Sequence, residues 1–276
     1  MTWSAGMLCG HCYHCAVIRQ PTRCLNRKAY GISFNSDEPP HFSGGYAEYV
    51  YLRPGTAVFK LADVAAEAVT GAGCALVTAI HGIERMGINW GDRVVIQGSG
   101  PVGLAALAVA QTAGALTTIV IGGPVARLEV AQAFGATHTI NIEEIRDPEA
   151  RLNQVNRLTG GGYGADVVIE CVGSPCVVAE GLEMCRDGGK YLVLGHYGDA
   201  GSTPINPHVI TRKQLTVYGS WASEPRHMGM ALEFLRTQGE RFPFEQLISH
   251  RFPLECAFEA LQTTAQWASR KSVIVP

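Results

Sequence analysis

Four cysteines, Cys9, Cys12, Cys15 and Cys24, stand in a C-x2-C-x2-C-x8-C array. Thiolates at these separations can wrap one tetrahedral Zn2+, and a complete four-sulfur shell leaves no open position for a substrate, so the array predicts a structural metal site. Such short intervals call for a tight knuckle rather than a helix face, and Gly10, Pro21 and Asn26 supply turn residues for it. Disulfide pairing and four unrelated buried thiols are the competing readings. An odd total of nine cysteines argues against disulfides, as do the opening residues Met1–Gly6, which lack the basic and apolar stretches of a secretory signal. His11 and His14 fall inside a set that is already full and are expected to be exposed loop residues.

A second constellation is Gly98-Ser99-Gly100-Pro101-Val102-Gly103, a G-x-G-x-x-G that follows an apolar strand-like run and opens a helical pattern. In that context the first glycine permits a tight turn, the second lets backbone approach a pyrophosphate, and the third lets helix pack on strand. The phosphates would lie at the helix N-terminus. Gly98, Gly100, Pro101, Val102 and Gly103 are therefore candidate cofactor contacts for a dinucleotide. A ribose-binding carboxylate is expected about twenty residues on. The second strand instead ends Ile121-Gly122-Gly123-Pro124, with no acid, and Arg127 on the following turn could pair with a 2'-phosphate. The alternative is that Arg127 is a solvated helix residue or packs beside the adenosine of NAD. The cofactor is read as NAD(P), leaning to NADP.

The elements that must position these residues change texture near residue 70. Before it lie short strands and turns, including the period-2 segment Gly45–Leu52 ended by Pro54-Gly55. From Arg93 onward, strand-like runs at 94–96, 118–121, 166–169 and 191–194 alternate with amphipathic helices at about 104–113, 125–134, 149–158 and 177–185, the signature of a parallel sheet built from βαβ units. A further strand is expected at 215–218, helices near 227–237 and 255–263, and a last strand at 272–275. The 276 residues are 47% hydrophobic and 17% charged, with a net charge of −2 and no Lys/Arg run, which argues against a nucleic-acid or membrane-surface partner. Apolar stretches are broken by Gly or polar residues before bilayer length, and a cytoplasmic protein is expected.

Taken in order, the cysteine knuckle, Gly44-Gly45-Tyr46-Ala47-Glu48-Tyr49, Gly73-Cys74-x3-Thr78, Gly91-Asp92-x-Val94 leading into G-x-G-x-x-G, Glu170-Cys171-Val172-Gly173, Gly188-Gly189 and Lys271-x-Val273-Ile274 resemble the zinc-dependent medium-chain alcohol dehydrogenases. The resemblance runs from end to end of the chain. It implies an α/β fold: a doubly wound Rossmann parallel sheet plus a partial GroES-like β domain carrying a structural-zinc lobe. The corresponding division is 1–75 for the partial GroES-like domain, 76–219 for the Rossmann domain and 220–276 for the return to the catalytic domain. By the same resemblance the cysteine array matches the structural-zinc lobe, with one more residue in its last interval than many members have. Cys74 matches a catalytic-zinc ligand, Thr78 a residue packed on the nicotinamide, and Lys271 a basic position near the pyrophosphate. Gly195-His196 and Tyr218-Gly219 match backbone lining the nicotinamide end.

One departure stands out. In the family a Cys and a Gly-His-Glu motif carrying the other catalytic-zinc ligands lie upstream of the cysteine lobe, and a catalytic zinc needs three protein ligands with one open position. Here Cys74 alone can be pointed to, because His41, His81 and His196 match no ligand position. Met1 sits where a family Val falls, which suggests a valine codon read as a start and a longer natural protein; a genuine truncation is the alternative. The expected function is a zinc-dependent dehydrogenase moving a hydride between NAD(P) and a small alcohol, polyol or carbonyl compound, inactive if the truncated chain is all there is. A catalytically silent NAD(P)-binding fragment with structural zinc alone is the alternative. A zinc-independent reductase ranks last, because such enzymes usually lack the cysteine lobe. Tyr197 and Trp221 are pocket candidates by position only, and a homo-oligomer is implied, with Rossmann sheets pairing edge to edge near the segment after Asn206.

Overall fold

A computed structural model describes residues 1–266 and 268–276. The chain opens with four two-residue strands, β1 (Thr2–Trp3), β2 (Gly6–Met7), β3 (Lys28–Ala29) and β4 (Val58–Phe59). β1 pairs antiparallel with β4, and β2 with β3. Between β3 and β4 the Tyr30 hydroxyl accepts the Arg53 N–H at 2.7 Å and shares a 2.6 Å hydrogen bond with Thr56 Oγ1, which pins the Pro54-Gly55 turn.

The expected strand at Gly45–Leu52 does not form. The segment runs as bends and irregular chain, with Tyr46 and Tyr49 59% and 75% exposed. Alternation makes a strand when one face is buried and the backbone finds a ladder partner. Neither condition is met here.

Helix α1 (Ala66–Met86) follows and is broken at Gly73, whose φ of +49° and ψ of −146° suit a residue without a Cβ. Contrary to the sequence reading, α1 is long and apolar enough by composition to cross a membrane, yet more than half of that stretch is buried within the protein. Next come β5 (Arg93–Gln97), α2 (Pro101–Thr112), β6 (Thr117–Gly122), α3 (Val125–Ala133), β7 (His138–Asn141), α4 (Pro148–Leu158), β8 (Ala165–Glu170), α5 (Cys176–Met184), β9 (Cys185–Val193), α6 (Pro207–Arg212) and β10 (Thr216–Gly219). The six strands form one parallel sheet in the order β10-β9-β8-β5-β6-β7. That order is the doubly wound dinucleotide-binding arrangement, and its switch point lies between β5 and β8.

Helices on both faces explain why the central strands read as continuous apolar runs. Val94, Val95, Ile96, Val167, Val168 and Ile169 are fully buried. Each such side chain contributes roughly 1.5–3 kcal/mol by leaving water. Asp147 caps α4 by accepting the Glu149 and Ala150 N–H groups, and Arg151 then forms a two-pronged ion pair with Glu180, tying α4 to α5. β9 begins earlier than expected, at Cys185, with a register shift opposite Ala165–Val167, so Gly188-Gly189 lie inside the strand rather than before it.

The remaining chain forms α7 (Pro225–Gln238), β11 (His250–Pro253), α8 (Ala257–Ala265) and β12 (Ser272–Val275), with β11 and β12 parallel. Two compact units result: Met1–Gly73 with Ala222–Pro276, and Cys74–Trp221.

Candidate cofactor and metal sites

In the first unit the cysteine array closes on itself. The four sulfurs of Cys9, Cys12, Cys15 and Cys24 lie within 4.8 Å of one another, with Cys9–Cys24 at 3.5 Å and Cys12–Cys24 at 3.9 Å. Four thiolates bonded to one zinc at about 2.3 Å would stand about 3.8 Å apart, so the residues fit that ion. The knuckle is more helical than its spacing suggested. Gly10 turns the chain at φ +77°, Cys15 sits on a single π-helical turn at Tyr13–Val17, and Pro21 opens a 3-10 turn that delivers Cys24.

The thiols are chemically unequal. The Asn26 side chain, followed by the His11 backbone, holds the Cys9 thiol well down, at about 5. Burial, reinforced by the Cys12 and Cys24 sulfurs, pushes the Cys15 thiol up to about 12. The Leu25 backbone lowers Cys12. Asn26 thus acts as more than a turn residue. His11 is exposed and hydrogen-bonds the Cys9 carbonyl, as a loop residue should; His14 is half-buried and its Nδ1 is buried without a hydrogen-bond partner, which the sequence reading did not anticipate. A cavity of about 650 Å³ adjoins the lobe, lined by residues that include Lys28, Phe34, Tyr51 and Arg53, and it takes in no residue of the glycine motif.

The second unit carries the glycine turn at the C-terminal end of β5, beside the switch point. Gly98 has φ +113° and donates its N–H to the Ile121 carbonyl at 2.7 Å, binding the turn to the end of β6. Buried Ser99 adds a hydroxyl bond to the Gly123 carbonyl. A Cβ at Gly103 would overlap the Gly98 carbonyl oxygen, so the third glycine is required by close packing. Gly100 differs: a Cβ there would meet nothing within 4 Å. Its glycine therefore serves no packing need of the protein and leaves backbone open to a ligand. Gly100 is also the N-cap of α2 and offers no capping side chain, Pro101 stands at the helix start, and the first turn carries no acid. N–H groups at such an end suit an anion. The residues fit a dinucleotide pyrophosphate.

Arg127 lies half-buried on the first turn of α3, and burial lowers its pKa without threatening its charge at neutral pH. Cys74 and Thr78 are one turn apart on α1, hence on one helix face, with Cys74 exposed and Thr78 half-buried. Among the described residues the cysteine lobe is the one group of three or more potential metal-ligating side chains close enough to share an ion, and Cys74 is not in it. A catalytic zinc therefore does not fit the residues described. His41 bonds the Ser36 carbonyl, and buried His81 pairs with Ser220 Oγ at 3.2 Å. Lys271, in the first unit, donates from Nζ to the Gly71 carbonyl at 3.1 Å, two residues before the break in α1.

Gly195 and His196 follow β9, and Tyr218-Gly219 end β10. Beyond them Trp221 stacks on Tyr197 with ring centroids 5.3 Å apart and planes 4° from parallel, and its Nε1 donates to the Tyr197 carbonyl at 3.0 Å. Sequence reasoning missed the residue that organises this edge. Glu170 entered only as part of a motif, yet its buried carboxylate receives backbone N–H groups from two loops. An acid closing the apolar run Val167-Val168-Ile169 was the available signal.

Comparison with known proteins agrees with this geometry. A family model for zinc-binding dehydrogenases matches residues 101–237. The chain is 35% identical over 274 residues to 5-exo-hydroxycamphor dehydrogenase of Pseudomonas putida, covering 99% of this chain and 74% of that protein. Among solved structures, an alcohol dehydrogenase from Thermotoga maritima is 33% identical with a TM-score of 0.92, covering 100% of this chain and 75% of that one. A zinc-binding dehydrogenase from Sinorhizobium meliloti 1021, solved bound to NADP, is 28% identical with a TM-score of 0.83, covering 100% of this chain and 76% of that one. With a doubly wound sheet, a four-sulfur lobe and a relative of this identity and coverage, the chain belongs to the zinc-dependent medium-chain alcohol dehydrogenase/reductase family.

Proposed function

We propose that this protein transfers a hydride between NAD(P) and a small alcohol, polyol or carbonyl compound. The observation that carries the reading is the open Gly100 at the start of α2, beside the β5/β8 switch point of the sheet. When bound, the nicotinamide supplies or accepts the hydride. The chain's own contribution is binding and orientation. Gly98, Gly100, Pro101, Val102 and Gly103 receive the pyrophosphate at the helix end, and Arg127 meets a 2'-phosphate where the acid-free end of β6 removes repulsion. Thr78, Gly195 and His196 border the nicotinamide end. Cys9, Cys12, Cys15 and Cys24 hold zinc as a structural ion.

The unit Cys74–Trp221 is the cofactor-binding part in this reading, and the unit carrying the cysteine lobe is the substrate part. Self-association along β10, whose Thr216, Val217 and Gly219 are exposed at the sheet edge, belongs to it, as does a cytoplasmic location. The test is oxidation of a panel of secondary alcohols and polyols with NAD and NADP. Turnover of any member is expected. Saturable cofactor binding without turnover would favour the second reading, a silent cofactor-binding chain, whose supporting observation is that among the described residues Cys74 stands outside the one group able to share an ion.

A further inference from the structure

We propose that Glu170 is a positioning residue, whose buried carboxylate clasps the loops after β8 and β9 into one wall for the nicotinamide half of the cofactor. The inference rests on the NAD(P) reading above. Glu170 ends β8 and is fully buried. Its Oε1 accepts the N–H groups of Val172 and Gly173, each at 2.6 Å, and its Oε2 accepts that of Gly195 at 3.0 Å. Its backbone carbonyl takes the N–H groups of Leu194 and Gly195 at 3.0 and 3.1 Å. One residue thus anchors both loops through side chain and main chain.

The glycines in the clasp show how little slack it has. A Cβ on Gly173, which has φ +76°, would stand 2.6 Å from the Gly195 carbonyl oxygen, and a Cβ on Gly195 would stand 2.7 Å from Glu170 Oε1. The same wall reaches the phosphate turn, because a Cβ on Gly98 would stand 3.1 Å from the Cys171 carbonyl oxygen. Among the described residues the one ion-pairing neighbour of Glu170 is His196, its Nε2 3.9 Å from Oε2 and buried without a hydrogen-bond partner. A carboxylate removed from water is tolerated here because directed N–H groups replace its hydration. An apolar side chain could fill the volume but could not fix the two loops to each other.

The position of the wall gives it a function. A dinucleotide crosses the C-terminal edge of such a sheet at the switch point, with its adenosine ribose at the end of the second strand, here β6. The nicotinamide half then falls on the side of β8 and β9, where hydride transfer depends on placement to a fraction of an ångström.

Glu170→Gln separates this role from general support. The amide oxygen can keep one loop, but the amide N–H groups then face the N–H of the other, donor against donor. With the full chain, binding of NADPH and of 2'-phospho-ADP-ribose, which lacks the nicotinamide, is measured by titration calorimetry. We expect NADPH affinity to fall about tenfold and 2'-phospho-ADP-ribose affinity to stay within about twofold. Equal losses for both ligands, or no loss for either, would overturn the inference. Wild-type protein that binds neither these ligands nor their counterparts without the 2'-phosphate, NADH and ADP-ribose, overturns the NAD(P) reading itself and this role with it. Should Glu170→Gln not fold, Glu170→Asp is read on the same affinity ratio, which must shift in the same direction.

Discussion

The carbonyl oxygen of Gly98 fills the space that a methyl group on Gly103 would need. The neighbour is backbone in a turn bonded to β6, so it cannot swing aside as a side chain would. Gly103→Ala should therefore cost stability, by about 1–3 kcal/mol as overpacking does, and weaken cofactor binding as the turn shifts. Urea unfolding of the variant beside wild type measures it. An unchanged midpoint would contradict the packing.

Gly100→Ala should behave in the opposite way. Its φ of −82° suits any residue and the added carbon meets nothing in the protein. The unfolding midpoint should stay at the wild-type value while NADPH affinity falls roughly tenfold or more, about 1.4 kcal/mol, because the methyl group occupies the approach of the pyrophosphate. Retained affinity would remove the turn from the cofactor site.

Arg127→Ala tests cofactor choice. Loss of a guanidinium facing a 2'-phosphate should weaken NADPH by about tenfold and leave NADH within about twofold. Parallel changes for the two cofactors would assign Arg127 to the helix rather than to the phosphate.

Zinc uptake by the cysteine lobe should release fewer than four protons at neutral pH. Cys9, held at about 5, is already a thiolate there, whereas Cys15, pushed up to about 12, must surrender its proton to bind metal. The sign follows: apparent zinc affinity rises with pH through the neutral range, driven by Cys15, while Cys9 adds further pH dependence only in acid, near pH 5. Titration calorimetry in buffers of different ionisation enthalpy counts the protons. A count of four, or of none, would contradict the inequality between these thiols.

Much of the second unit was legible because a parallel sheet buried on both faces demands apolar runs such as Val94-Val95-Ile96, and because Gly98 and Gly103 are fixed by local backbone needs. The cysteine lobe was legible because metal geometry constrains spacing. What was not legible depends on distant partners. Tyr46 and Tyr49 alternate as a strand would, but strand formation rests on a neighbouring ladder that the pattern does not encode. Glu170 acquires its meaning from Gly195, twenty-five residues later, and Lys271 donates to Gly71 across two hundred.

The central claim is that the Gly98–Gly103 turn binds a dinucleotide, and an NADPH titration followed by quenching of tryptophan fluorescence tests it most directly. Saturation at one cofactor per chain, competed by 2'-phospho-ADP-ribose, is the predicted result. A linear, unsaturated response to NADPH and to NADH alike, which neither 2'-phospho-ADP-ribose nor ADP-ribose alters, would contradict it.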